Sequence, residues 1–217
     1  MIYKSLILTL IYLACTFLLY SQNRGKSEFW VNTGITSELL SVNATNVGSF
    51  ENRNRVGASF GIEKRSYLNE NFNINYGIQV KSFRKSFVFN PIEVFIEDIH
   101  LFIPVLLNYH LKMHENHYGN FLMGLNGVLH TLGEASYSSM DYQVHIERKT
   151  GIFPNLVTGF GYKFNKKRSF EINVLYNMGF FQRKVEEVKY LPADTNVRLK
   201  NNGSFFELEF KYRLSKG

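Results

Sequence analysis

The sequence predicts an all-β protein: an eight-stranded antiparallel up-and-down transmembrane β-barrel. Three observations predict it. The first segment reads as an export signal. After it, eight runs alternate apolar and polar residues with a period of two. Between those runs, long and short gaps alternate without exception.

The export signal comes first. Lys4 is the only charge before Arg24, and the stretch between them, Leu6 to Tyr20, is predominantly apolar. A positive start, an apolar stretch and then small polar residues is the secretory pattern. Cleavage is expected after Ser21, leaving a signal peptide over 1–21 and a barrel over 22–217. An N-terminal membrane anchor fits less well, because the apolar stretch is short for a spanning helix. A lipoprotein site at Cys15 also fits less well, because more apolar residues follow it. Cys15 is the only cysteine, so the exported chain holds no disulfide and a small disulfide scaffold is excluded.

Composition agrees with a sheet protein. The 217 residues include 20 Phe and 13 Tyr but one Trp and 4 Pro. Aromatic side chains favour strands and interfaces. The net charge is +7, or +6 once Lys4 leaves with the signal. Those charges are spread along the chain, and export points away from nucleic acid, so no nucleic-acid partner is expected. Anionic outer-membrane lipid and lipopolysaccharide are the natural counter-surface, with other envelope proteins as further partners.

The runs fall near 29–40, 54–65, 71–83, 98–110, 118–132, 150–164, 168–181 and 203–214. In the third, Phe72, Ile74, Tyr76, Ile78 and Val80 share one face, and Asn73, Asn75, Gly77, Gln79 and Lys81 the other. In the seventh, Phe170, Ile172, Val174, Tyr176, Met178 and Phe180 oppose Glu171, Asn173, Leu175, Asn177 and Gly179. In the last, Phe206, Leu208, Phe210, Tyr212 and Leu214 oppose Phe205, Glu207, Glu209 and Lys211. The strict period fixes which way each side chain points.

Residues 41–53, 84–97, 133–149 and 182–202 form the long gaps, and 66–70, 111–117 and 165–167 the short ones. Short periplasmic turns and longer outer loops are the rhythm of a membrane barrel. In hydrocarbon every backbone polar group must be paired, so the first and last runs are expected to pair with each other. Pro104 and Pro154 are expected to mark a bulge or a weak pair in that ladder.

Facing follows from bulk. An eight-stranded interior is only wide enough for side chains to fill it. The large apolar face therefore looks outward, and the face rich in Gly and Asn looks in. Seven charged residues lie on the inward face: Glu63, Lys81, Lys163, Glu171, Glu207, Glu209 and Lys211. They carry both signs, which predicts an ionic network in the lumen and no open pore. Aromatics near the short-turn ends (Trp30, Tyr109, Tyr118, Tyr162, Phe164, Phe170, Tyr212) read as an interfacial girdle. The basic turn Lys166, Lys167 and Arg168 reads either as a contact to periplasmic head groups or as an ordinary solvated turn.

With runs and gaps placed, the chain resembles the small outer-membrane β-barrel domains common in Bacteroidetes, the porin-family and PorT-like group. The resemblance spans roughly residues 22–214. It is carried by Ile99–Tyr109 (IHLFIPVLLNY), by Gly159–Phe164 (GFGYKF) and by Ser21–Gln22. Members of that group usually end on an aromatic strand residue, whereas this chain ends KYRLSKG, so either Tyr212 serves or its recognition by the assembly machinery is atypical. The resemblance implies a bacterial outer-membrane location and, for some members, a link to protein secretion. It implies no catalytic residue and no cofactor.

Two chemistries are weighed against a non-enzymatic structural or envelope-interaction role. His110, His114 and His117, with Glu115, crowd the second short turn and could bind zinc, but they lack the helix that gives such spacing its meaning. An outer-membrane lipid or lipopolysaccharide hydrolase or acyltransferase would draw on the third long gap: His130, Glu134, Ser136, Ser138, Ser139, Asp141 and His145. No G-x-S-x-G elbow accompanies them. Val42, Phe50, Phe87, Val88, Phe89 and Tyr190 in the long gaps are read as exposed, as a docking surface would need, and 184–189 as an extension of the seventh run. No cofactor is expected.

Overall fold

The computed structural model describes residues 27–39, 41–45, 50–89, 92–130, 134–166, 169–182, 184–192 and 195–216. The expected signal peptide, with Cys15, lies outside the described residues, as do Lys167 and Arg168. The described residues form fourteen strands: β1 (Ser27–Glu38), β2 (Ser41–Thr45), β3 (Phe50–Arg55), β4 (Gly57–Tyr67), β5 (Phe72–Phe89), β6 (Ile92–His114), β7 (His117–His130), β8 (Glu134–Ser138), β9 (Tyr142–Arg148), β10 (Gly151–Asn165), β11 (Ser169–Gly179), β12 (Lys184–Tyr190), β13 (Thr195–Asn201) and β14 (Phe205–Lys216). Among those residues no helix is long and apolar enough to cross a membrane.

Eight strands pair in a circuit. In order of pairing they are β1, β4, β5, β6, β7, β10, β11 and β14, and β14 pairs back onto β1, each pair antiparallel. The first-to-last ladder runs from Glu28↔Lys216 to Glu38↔Phe205, with one register shift at Phe29/Trp30. These strands are the eight runs read from the sequence, displaced by up to six residues at their ends, most at the outer ends of β5 and β6. Three short turns join them at the end where β1 starts and β14 finishes. In the first, Asn69 Oδ1 accepts from the backbone N–H groups of Asn71 and Phe72, both at 2.9 Å, the Asx geometry that reverses a chain in few residues.

Pro104 and Pro154 do not bulge their strands. Pro104 pairs with Asn126 and Pro154 with Gly127 in unbroken register. On its other side Pro104 does weaken the ladder. The β5–β6 pairing stops at Tyr76↔Val105 and resumes at Gln79↔Phe102 in the same register. Proline has no N–H to donate, so the rungs opposite it are lost. Register survives because the facing rule on both flanks is strong.

The long gaps are not loops. Each is built largely of strands. The first holds β2 and β3, the second is the outer hairpin of β5 and β6, the third holds β8 and β9, and the fourth β12 and β13. β12, expected as an extension of the seventh run, follows β11 after a short break but lies in another sheet and pairs with β9 and β13. A second, five-stranded sheet results, in the order β2-β13-β12-β9-β8. Its Val144, Ile146, Val188, Val197 and Leu199 pack on Phe87, Val94 and Ile96 of the β5–β6 hairpin. The two sheets thus form a sandwich-like head beyond the eight-strand circuit. Phe87, read as exposed, is fully buried in this head core, and Tyr190 packs against it. Val88 is half-buried, and the side chains of Val42, Phe50 and Phe89 lie outside those described.

Candidate functional site

The eight-strand circuit has one exposed and one buried face. The exposed face carries Ile35, Phe60, Ile62, Ile78, Val80, Ile103, Leu107, Phe121, Phe160, Val174, Met178, Phe206 and Phe210. The buried face carries charge and amides, in layers. Small residues make that possible. A Cβ on Gly61 would stand 2.6 Å from Asn32 Oδ1, Gln79 Cγ and the Ile78 carbonyl, and one on Gly161 would overlap Asn173.

The layer nearest the short turns is ionic. Four carboxylates (Glu28, Glu63, Glu171, Glu209) meet four cations (Arg65, Lys163, Lys211, Arg213), all of them buried. Arg65 lies at its centre. Its Nη1 and Nη2 donate to the two Glu171 oxygens at 2.5 and 2.9 Å, Nη2 also to Glu63 at 3.2 Å, and Nε to Asn75 at 2.9 Å. Its guanidinium also lies 4.2 Å from the centre of the Trp30 ring. Lys211 joins Glu63 at 2.7 Å and Glu209 at 3.1 Å, and Lys163 joins Glu171 at 3.7 Å. Arg213 donates to Glu28 at 3.0 Å, and Tyr67 and Trp30 donate to the same carboxylate at 2.8 and 3.1 Å.

Beyond this layer Leu106, Leu122, Val157 and Leu175 form an apolar cluster, and Lys81 pairs with Glu207. Next comes an aromatic layer of Phe83, Phe102, Val128 and Phe205, with Lys81 Nζ 5.1 and 5.3 Å from the Phe102 and Phe205 ring centres. The last layer joins the circuit to the head. Lys184 of β12 pairs with Asp98 of β6 and, at 2.6 Å, with Glu186, while Lys85 pairs with Glu186 at 2.5 Å and Glu38 at 3.4 Å. Burial and the neighbouring Lys85 charge pull the Lys184 pKa down, to about 8. His100 and His130 stack beside this layer at 4.5 Å, on a cavity of only about 20 Å³.

The seven residues expected on the inward face are therefore all buried and all in ion pairs with one another or with Arg65. Sequence reading missed Arg65, Glu28, Arg213 and Asp98. Arg65 had a visible signal: it stands two residues past Glu63, on the same face of the same strand. The apolar layers were missed as layers, because the inward face was read as small and ionic throughout.

Two aromatics of the expected girdle face the other way. Trp30 is fully buried beneath Arg65, and Tyr118 lies on the face of Asn120, with its ring 6.4 Å from His110. Among the rest, Tyr109 lies 4.8 Å from Phe72 and Phe164 5.4 Å from Phe170, each pair tilted. Phe170 and Tyr212 are both exposed.

The histidines of the second turn do not gather. His110 lies inside β6, where Asn73 Nδ2 donates to its Nε2 at 2.5 Å and its Nδ1 donates to Asn120 at 2.6 Å. His114 and His117 stay near the turn, their rings 5.8 Å apart. Among the described residues no group of three His, Cys, Asp or Glu could hold a metal ion.

The third-gap candidates are also dispersed. His130 is buried at the circuit's mouth and His145 is partly exposed on β9, 3.7 Å from Glu147. Ser139 Oγ accepts from the backbone N–H groups of Asp141 and Tyr142 in a tight turn. The side chains of Glu134, Ser136 and Ser138 lie outside those described.

No family model and no curated protein matches this chain. Solved structures do. The outer membrane protein OprG from Pseudomonas aeruginosa has a TM-score of 0.52 at 10% identity, over 88% of this chain and 96% of that one. Ail, the attachment invasion locus protein of Yersinia pestis, gives 0.36 at 13% identity, over 88% and 99%. The outer membrane protease OmpT from Escherichia coli gives 0.36 at 8%, over 87% and 95%. The last two are too distant in geometry to bear on the fold. The likeness to OprG identifies the architecture of this chain as an all-β, antiparallel, outer-membrane-protein fold.

Proposed function

We propose that the chain is a non-enzymatic transmembrane β-barrel of the bacterial outer membrane, with a signal peptide at 1–21. Its role is to hold a folded β-sheet head at the outer surface for contacts within the envelope. The observation that carries this reading is the division of faces around a circuit of strands paired first to last. The exposed face is a belt of Phe, Ile, Leu, Val and Met, and the buried face holds the ion pairs. In water such a belt would be an aggregation surface, whereas in a bilayer it is the solvated face. A circuit without an edge leaves no row of unpaired strand-edge backbone in hydrocarbon.

The membrane segment extends from the short turns to the aromatic layer of Phe83, Phe102 and Phe205. β2, β8, β9, β12 and β13 stand beyond it. The ionic and apolar layers fill the lumen, so the barrel is a stiff post and not a conduit. The inward network of Glu63, Lys81, Lys163, Glu171, Glu207, Glu209 and Lys211 is the device that fills it. Kinship with the Bacteroidetes-type, PorT-like barrels rests on Ile99–Tyr109 and Gly159–Phe164, and with it a link to protein secretion.

The test is refolding from urea into lipid vesicles. A membrane barrel migrates differently on gels before and after boiling and withstands added protease over its membrane segment. A plugged barrel passes no steady current in planar bilayers. Failure to enter vesicles would refute the membrane reading, and stable open currents would refute the filled lumen.

A further inference from the structure

A notch of about 370 Å³ opens where the exposed apolar wall meets the head, lined by Leu39, Tyr176, Gln182, Lys200, Asn202 and Ser204 among others. We propose that this notch binds the phosphorylated head group of a lipid of the outer leaflet. The inference rests on the barrel reading above and adds a ligand to it.

The notch is built by hydrogen bonds from backbone N–H groups. Leu39 N–H donates to the Ser204 carbonyl at 2.9 Å, and Gly179 N–H donates to Ser204 Oγ at 3.0 Å. These bonds tie the ends of β1 and β11 to the β13–β14 turn. That turn is sharp: Gly203 has φ +77°, its N–H bonds Asn201 Oδ1 at 2.5 Å, and Ser204 N–H bonds Asn202 Oδ1 at 3.1 Å. A concavity held by four backbone N–H groups, one bonded to a main-chain carbonyl and three to the side chains of Asn201, Asn202 and Ser204, exists before any ligand arrives, and its volume lies in the usual range of about 300–1,000 Å³ for small-molecule sites.

Its chemistry is split in the way an amphiphile is split. Below, the Tyr176 ring lies 5.0 Å from that of exposed Phe206, tilted at 36° to it, and Phe180 and Phe181, just past the end of β11, are exposed as well. Aromatic belts of this kind sit at head-group level. Above, Lys200 brings an ammonium and Gln182 an amide, both exposed, from the head side. A phosphate suits the Lys200 ammonium, sugar or glycerol hydroxyls suit the amides, and acyl chains can run down the Tyr176–Phe206 wall. A free anion would use the ammonium but would leave the aromatic floor idle.

The test is native mass spectrometry of the full chain in dodecyl maltoside, a detergent without phosphate, with added lipid A, phosphatidylglycerol or diacylglycerol. One phosphorylated lipid per chain should be retained, and the preferred one of the two identifies the source. Lys200→Gln should lower retention about tenfold, the effect of one charge-assisted contact, and Tyr176→Ala, which removes the aromatic floor, about tenfold as well, while Lys189→Gln at the far end of the head leaves it unchanged. Retention of diacylglycerol equal to that of either phosphorylated lipid would overturn the proposal. So would retention indifferent to both substitutions in a chain that still shifts on boiling. A chain that never acquires the boiling-sensitive form would sink the barrel reading itself, and the notch with it.

Discussion

Arg65 and Glu171, 106 residues apart in sequence, meet as a two-pronged pair inside the eight-strand circuit, at 2.5 and 2.9 Å. Neither side chain is exposed at all. Arg65 comes from β4 and Glu171 from β11, which stand on either side of β1 and β14. The pair therefore spans the interior from one wall to another, and it can form only if the circuit has closed to the right width and register.

Removing half of that pair should be costly. Arg65→Met leaves Glu171 buried with only the more distant Lys163, and breaking a buried pair typically costs about 3–5 kcal/mol. The same substitution joined to Glu171→Leu should recover most of the loss, because a filled apolar interior needs no charge. Urea titration of the refolded protein in micelles measures both. Equal instability of the single and double variants would show that the pair is not the source of the effect.

Depth should grade the response of the exposed face. Val174 stands midway along β11, whereas Phe170 is next to the short turn. Arginine at a bilayer midplane costs about 2–4 kcal/mol and near the rim about 0–1. Val174→Arg is therefore expected to destabilise the vesicle-bound form well beyond Phe170→Arg. Equal effects at the two positions would argue against a bilayer around this belt.

Space on the inward face should be equally unforgiving at Gly61. A Cβ there would be 2.6 Å from Asn32 Oδ1, Gln79 Cγ and the Ile78 carbonyl, and the last of these is main chain and cannot step aside. Gly61→Val is expected to cost about 1–3 kcal/mol by overpacking and to lower the yield of the boiling-sensitive form on gels. Ala58→Val, on the exposed face of the same strand, serves as the control and should refold as well as the parent.

Sequence pattern made the circuit legible because a period of two has no middle ground. Phe206, Leu208 and Phe210 against Glu207, Glu209 and Lys211 can be placed in only one way. The same rule, applied two residues further, would have drawn Arg65 into the ionic layer beside Glu63. It also reaches Trp30, whose even-numbered neighbours Asn32 and Thr36 are buried with it. Trp30 was misplaced because its residue type, common at membrane interfaces, was allowed to outweigh its parity. The head was hidden for a different reason. Val144 and Ile146, or Val197 and Leu199, alternate correctly, but over segments of 7 residues, too short to separate a strand from a loop by pattern alone. What decides their fate is a partner sheet, and the outer hairpin of β5 and β6 supplies one only in three dimensions. The lipid-binding notch was beyond pattern altogether, since Leu39, Tyr176 and Lys200 are brought together by pairings over long sequence separations.

The head should prove separable from the post in stability. Its core centres on Phe87, fully buried among Val94, Ile96, Val144, Ile146, Val188, Val197 and Leu199. Replacing such a residue by alanine typically costs about 3–5 kcal/mol. Phe87 lies beyond the aromatic layer of Phe83, Phe102 and Phe205, so the loss falls on contacts the membrane segment does not share. Hydrogen exchange on Phe87→Ala is expected to quicken in β9, β12 and β13 while β1, β11 and β14 keep their protection, and the protein should still change mobility on boiling. The ion pair of Lys184 with Asp98 is a polar tie between β12 of the head and β6, so Lys184→Met should produce the same pattern in milder form. Loss of protection in β1 and β14 along with the head would instead mean that head and barrel fold as one cooperative unit.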